Sequence, residues 1–277
     1  MGMFVIRPSL VPWSSTLDIP FAGFTTTLHD TTHQWAFNYR GLDGGWLIGN
    51  QNVLDAFRLA LQYGVSDAVI VSSMTVAMEG VDKEGEGKQG YMWQPYAVTD
   101  WPHLKIACPN ALELINRQRE AWQQQGFIPL TRKYPAQIIY TESGDRYPGS
   151  SDFLSARILT AHHPSGEPME CHILTGRLGA LSIRKRVNSE FPHLRDRLDA
   201  MILLLPDAPA VDGGGAGESG LDISVVPELL YSRLGMRLVN HDGGQRVLRA
   251  FARAGTVDQF APFVRLTSAI VDAYPLH

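Results

Sequence analysis

Three short runs in this 277-residue chain place reactive or ligand-holding residue types at element boundaries. The first is Asp242-Gly243-Gly244-Gln245-Arg246, where a strand pattern gives way to a helix pattern. The first amides of a helix lack internal partners and point outward with the positive end of the dipole, and glycines let an anion approach the backbone. The run is therefore a candidate phosphate site; the alternative is a plain turn whose glycines supply positive φ. The second run is Ser72-Ser73-Met74-Thr75, hydroxyls at the end of an apolar strand, and as a bare pattern it is only a strand end. The third is Thr175-Gly176-Arg177, again at a strand end, with Arg184, Lys185 and Arg186 soon after. A guanidinium there can hold a phosphate through paired hydrogen bonds; the alternative is a solvated basic loop. His29-Asp30 is a candidate proton-transfer pair, because a carboxylate raises the basicity of a neighbouring imidazole, although adjacent residues at a strand end usually point apart.

These runs need elements to position them. Apolar spacing predicts strands over 24–28, 67–73, 136–140, 170–176, 202–205, 237–239 and 259–266. Helical spacing, with a glycine just past the end in several cases, predicts helices over 52–63, 110–125, 194–200, 221–232 and 245–254. Strands alternating with helices imply an α/β fold with a mostly parallel, twisted sheet and helices on both faces. No linker or internal repeat divides the chain. Residues 1–23, with Pro8, Pro12 and Pro20, are expected to form an extended arm on the surface or on a partner subunit. Residues 80–109 and 206–220 read as loop insertions. The first carries Tyr91, Trp93, Tyr96 and Trp101, which either lid a planar ligand or pack against the core. The second contains Gly213-Gly214-Gly215, without the lysine or framing of a phosphate loop.

Bulk properties narrow the function classes. A 44% hydrophobic composition suffices for a substantial core. Net charge of −4 offers no general attraction to nucleic acid or anionic membrane, so any phosphate must be held locally. Cys108 and Cys171 show no metal-ligand spacing, and His162, His163 and His172 are scattered, so no metal is expected. Without a signal-like start or a long apolar run, the expectation is a soluble cytoplasmic protein.

The wording around these runs resembles the C-terminal reductase of the RibD type, riboflavin-pathway relatives of dihydrofolate reductase. The match at the end of the chain is Asp242, Gly243, Gly244, Leu248, Gly255, Val257, Asp258, Ala261 and Pro262, with Asp242 where the family usually has glutamate. Earlier, Arg58, Asp67, Ala68, Thr75 and Val76 match, with Ser72 at a usual glycine and Glu79 where aspartate is frequent. Thr27-Leu28-His29-Asp30 resembles the family's Ser-Leu-Asp-Gly turn loosely. The resemblance implies a dihydrofolate-reductase-like fold, a homodimer and an NADPH-dependent reductase of a pyrimidine ribosylamine or related heterocycle in riboflavin biosynthesis. Cofactor contacts would come from Ser72, Ser73, Thr75, Thr175, Gly176, Arg177 and the run Asp242 to Arg246; substrate contacts from His29 and Arg58; and acid–base chemistry from Asp30 or Glu79. The alternative is a relative that binds a nucleotide-like ligand, or assembles, without hydride chemistry.

Overall fold

The computed structural model describes residues 2–5, 25–27, 53–79, 102–126, 130–147, 152–163, 165–208, 220–242, 244–256 and 261–263. The central strands are β3 (Ala68–Ser72), β4 (Ala136–Tyr140), β5 (Cys171–Gly176), β6 (Ile202–Leu205) and β7 (Leu238–Asp242), preceded by β1 (Gly2–Val5) and β2 (Thr25–Thr27) and followed by β8 (Ala261–Phe263). The main sheet has the order β1-β7-β3-β4-β5-β6; its last five strands are mutually parallel, and β1 lies antiparallel to β7. This is an α/β fold built on a parallel sheet.

The strands form where they do because they are buried on both faces, which favours continuous apolar runs over alternation. Ile70, Ile138 and Ile139 are each at most 1% exposed; burying such a side chain contributes about 1.5–3 kcal/mol. Helices α1 (Val53–Gly64), α2 (Ser73–Glu79), α3 (Pro102–Ala107), α4 (Ala111–Gln124), α5 (Arg177–Glu190) and α6 (Arg195–Met201) pack against Val69, Val71, Ile139 and Ile173 on one face. Helices α7 (Val226–Leu234) and α8 (Gly244–Arg253) pack against Ile70, Ile138, Leu174 and Val239 on the other. Crossover handedness accounts for the division. The chain steps from β3 to β6 in one direction, so right-handed connections fall on one face; the return to β7, on the far side of β3, must use the opposite face.

The amino ends of the strands are tied by two buried charged groups. Asp67 Oδ1 accepts from Thr131 N (2.7 Å), and Oδ2 accepts from Arg237 N (2.8 Å) and Leu238 N (3.1 Å). Arg119 donates to the carbonyls of Gly64, Lys133 and Arg132 at 2.7, 2.8 and 2.6 Å, and to that of Ser66. Burial pushes the Arg119 guanidinium down to about 10, against the pull of the Asp67 charge, so it remains charged at neutral pH.

Several expectations are corrected. The strand expected over 237–239 runs on to Asp242 as β7: Asn240 and His241 pair with Val69 and Ile70, and Asp242 ends the strand instead of opening the turn. Part of the expected arm is the edge strand β1. Within the expected strands 24–28 and 259–266, the described residues form β2 and β8, which pair with each other in a separate two-stranded parallel sheet. Within 80–109, α3 is helical; within 206–220, Asp207 forms a bridge with Leu221. Arg177 starts a 14-residue helix, so Arg184, Lys185 and Arg186 are helical and not a loop. The aromatic cluster at 91–101 and the triple glycine lie outside the described residues. Among the described residues no helix is long and apolar enough to cross a membrane.

Candidate functional site

Strand order reverses between β3 and β7. Their following helices leave to opposite faces, α2 with Val76 and Ala77, α8 with Val247 and Phe251. Such a divergence opens a crevice beyond the carboxyl ends of the strands, the usual ligand position in open parallel sheets. Register aligns the three runs along this edge: Val71 pairs with Asp242, Ser72 with Tyr140, and Tyr140 with Leu174, so that Asp242 and Ser72 end the adjacent β7 and β3, and Thr175 lies at the end of β5 on the far side of β4.

Much of the hydroxyl chemistry at the edge is committed within the chain. Ser72 Oγ accepts from Thr75 N at 3.0 Å and lies 2.9 Å from Thr75 Oγ1, fixing the start of α2. The buried Ser73 hydroxyl is 3.2 Å from the Tyr147 hydroxyl, which ties the loop after β4 to α2. Thr175 is buried, with its hydroxyl 3.5 Å from the Glu142 carbonyl. A Cβ at Gly176 would lie 2.3 Å from Leu221 Cδ2, so core packing explains this glycine. Arg177, the first residue of α5, is exposed. Arg184 pairs with Asp199 at 2.9 Å. Arg186 donates to Gly144 O and to the Asp152 carboxylate and stacks 5.4 Å from the Phe153 ring, so it anchors the 141–152 loop.

The most informative group at the crevice is one the sequence did not single out. Tyr63, fully buried on α1, donates its hydroxyl to Asp242 Oδ2. Alternation along β7 puts Leu238, Asn240 and Asp242 on the α1 face, and Val239 and His241 on the α8 face. The Asp242 carboxylate is thus held toward α1. His241 leans on Phe251 with ring centroids 4.9 Å apart, and burial pushes its imidazole down to about 3, so it is neutral. Asn240 is 1% exposed, and both its amide nitrogen and its amide oxygen lack a hydrogen-bond partner among the described residues.

Other polar clusters stand apart from this edge. Glu170, just before β5, accepts from Arg132 Nε at 2.7 Å and lies 2.9 Å from His172 Nε2. Burial pushes its carboxyl up, but the hydrogen bonds from His172 and Arg132 outweigh that and hold it at about 2. His163 stacks on Tyr134 at 4.0 Å, and burial pushes it down to about 4. The Cys171 thiol is buried and pushed up to about 12, which removes it as a nucleophile. Among the described residues no three His, Cys, Asp or Glu side chains cluster as a metal site would require.

Of the residues proposed from sequence, Ser72, Ser73, Thr75, Thr175, Gly176, Arg177 and Asp242 are brought to one edge. His29, Asp30 and Gly243 lie outside the described residues, and Arg58, Glu79, Gly244, Gln245 and Arg246 are placed by backbone alone, in α1, α2 and α8. Tyr63, Asn240 and Arg119 were missed. A signal existed for Arg119, which continues the buried stripe of Ala111 and Ile115 at intervals of four. No protein-family model matches the chain, and no curated protein matches it.

Proposed function

We propose that the chain is an NADPH-dependent reductase of the RibD type, with a dihydrofolate-reductase-like fold, acting in the cytoplasm as a homodimer on a pyrimidine ribosylamine or a related heterocycle. The observation that carries this reading is that 72–75, 175–177 and Asp242 all fall on the carboxyl edge of one parallel sheet, with Ser72 and Asp242 flanking the reversal of strand order. Sequence spacing alone does not require that convergence.

The residues present suit a dinucleotide. A carboxylate beside a diphosphate would repel it, but Tyr63 holds the Asp242 carboxylate toward the α1 face while α8 packs on the other. The amides at the start of the ten-residue α8 are the groups that would face an anion. Arg177, exposed at the start of α5, supplies a fork for the 2′-phosphate that separates NADPH from NADH. When bound, NADPH supplies the hydride; the chain orients it and excludes water. His29 and Arg58 hold the substrate, and Asp30 or Glu79 delivers the proton.

Nicotinamide fluorescence tests the reading. Saturable NADPH binding that Gly244→Val weakens and Arg177→Ala shifts toward NADH is expected; a protein that leaves NADPH emission unchanged ends it. Binding without turnover on a panel of pyrimidines and pterins would favour the nucleotide-binding alternative. Sedimentation equilibrium tests the homodimer, whose two-fold contact would be self-complementary.

A further inference from the structure

The edge of a sheet offers a row of main-chain N–H and C=O groups, and monomeric proteins blunt it with charges, prolines, bulges or a covering element. The six-stranded sheet has two such edges. At one of them, β2 and β8 lie beside β1. At the other, β6 ends the sheet, and among the described residues no strand pairs with its outer side. The chain returns only past the strand, where Asp207 bridges to Leu221 and the Leu221 side chain packs against Gly176 of β5. The strand itself is Ile202-Leu203-Leu204-Leu205, with no charge, proline or polar side chain to guard it.

Apolar surface gathers at the same edge. Leu203 and Leu205 join the core under α7 and α8, so alternation turns Ile202 and Leu204 to the α5 face. Ile202 is covered there, but Leu204 is 50% exposed. Thr175 pairs with Leu204, so α5 begins level with it, and α5 packs on β6. The first two turns of α5 carry Leu178, 79% exposed, and Leu181, 54% exposed. Of the five large apolar side chains exposed among the described residues, three therefore sit at this one corner of the molecule. Single exposed leucines need no explanation, whereas a group of them beside an unpaired strand marks a contact surface.

We infer that the outer edge of β6, with Leu178, Leu181 and Leu204, is where two copies of this chain join, β6 pairing antiparallel with β6 so that one sheet runs through both. A strand edge is completed by another strand edge. Pairing of β6 with itself closes after two copies, whereas pairing with the β1 edge would close only as a ring or run on as a filament. Opposed residues of an antiparallel pair share a face. The two-fold axis that keeps both faces continuous and shelters the exposed leucine passes through Leu204, setting it against Leu204 of the second copy and Leu203 against Leu205. The inference rests on the homodimer of the proposed function, to which it gives a surface, and is independent of the reductase chemistry.

The experiment uses the full chain. Sedimentation equilibrium is expected to show a dimer, and Leu204→Lys to raise its Kd by about a hundredfold or more, because two like charges then meet at the axis. Leu181→Glu, off the strand, is a second variant should the first misfold. The axis is tested by Leu204→Cys in a Cys108→Ser background, which leaves buried Cys171 as the other thiol. Opposed residues lie about 4.5–5.5 Å apart at Cα, within disulfide reach, so mild oxidation should cross-link the copies through position 204. Ile106→Cys in the same background, at a site 84% exposed on α3, is the control and should stay largely monomeric on a denaturing gel. A wild type that sediments as a monomer overturns the inference together with the homodimer. A dimer that survives the folded variant, or that cross-links as readily through Ile106→Cys as through Leu204→Cys, overturns the inference alone. NADPH fluorescence of the same samples reports separately on the reductase reading.

Discussion

Replacing Asp67 separates the part of the molecule that holds the sheet together from the part assigned to ligand. The carboxylate is fully buried and accepts from three backbone N–H groups in two segments, at Thr131, Arg237 and Leu238. Hydrogen bonds to an ionised acceptor contribute about 1.5–3 kcal/mol each. Thr131 and Arg237 are exposed, so water can replace the carboxylate there. The buried Leu238 N–H has no such substitute, and Arg119 loses a compensating charge. Asp67→Ala is therefore expected to cost about 3–5 kcal/mol, a large share of the roughly 5–15 kcal/mol that stabilises a domain. Asp67→Asn keeps the shape but turns an NH2 toward N–H donors, and should cost about 2–4 kcal/mol. Urea unfolding measures both, with the midpoint falling and the slope unchanged. The carboxyl edge is about 16 Å away along β3, so NADPH affinity of the folded Asp67→Asn protein should match the wild type. If Asp67→Asn unfolds within about 0.5 kcal/mol of the wild type, the staple is not what holds these strand ends.

Acid should weaken the Glu170 cluster in a defined window. The folded carboxyl is held at about 2 against an ordinary 4.5, so its contribution is complete above 4.5 and is lost as pH falls toward 2. With the Glu170 side chain 39% exposed, screening reduces that contribution to about 1 kcal/mol; Glu170→Gln should flatten the stability curve between those pH values, and an unchanged slope would count against the pairing. Gly179→Ala should destabilise by about 1–3 kcal/mol in thermal melts despite the better helix propensity of alanine. The added Cβ would lie 2.1 Å from Thr175 Oγ1 and 2.5 Å from the backbone Glu142 O, and the latter cannot turn aside; a variant as stable as the wild type would show that α5 shifts freely over β5. Tyr63→Phe should cost about 1–2 kcal/mol through the lost hydrogen bond that holds the Asp242 carboxylate toward α1. NADPH binding should then weaken severalfold, and equal affinity would remove Tyr63 from the site.

The apolar strands were legible because burial on both faces writes itself as uninterrupted β-branched runs. The stretch 136–140 coincides with β4, and 170–176 differs from β5 by one residue. The helix from Gly244 to Arg253 was legible for the same kind of reason, its buried Val247 and Phe251 falling at helical spacing. What stayed hidden is the polar interior. Arg119 sits on the buried stripe of α4, but its residue type reads as solvated, since carbonyls at Gly64, Ser66 and Arg132 that the local pattern does not show make its burial tolerable. The strand was expected to stop at Val239 because Asn240, His241 and Asp242 are polar, and only the ladder with β3 places them in β7.

That failure at β7 has a physical meaning of its own. A central parallel strand buried on both faces should be apolar throughout, and β7 instead ends in Asn240, His241 and Asp242. At the amino end of the sheet the buried polar groups are satisfied: Asp67 and Arg119 bond three and four backbone groups. Those contacts hold strands together and leave nothing over for a ligand. Toward the carboxyl end the asparagine keeps both amide atoms open, beside the strand-order reversal where a parallel sheet receives small molecules. Local rules broken without internal compensation mark functional positions more often than faults in packing. Asn240 is such a break, and it lies on the strand that borders the reversal of strand order.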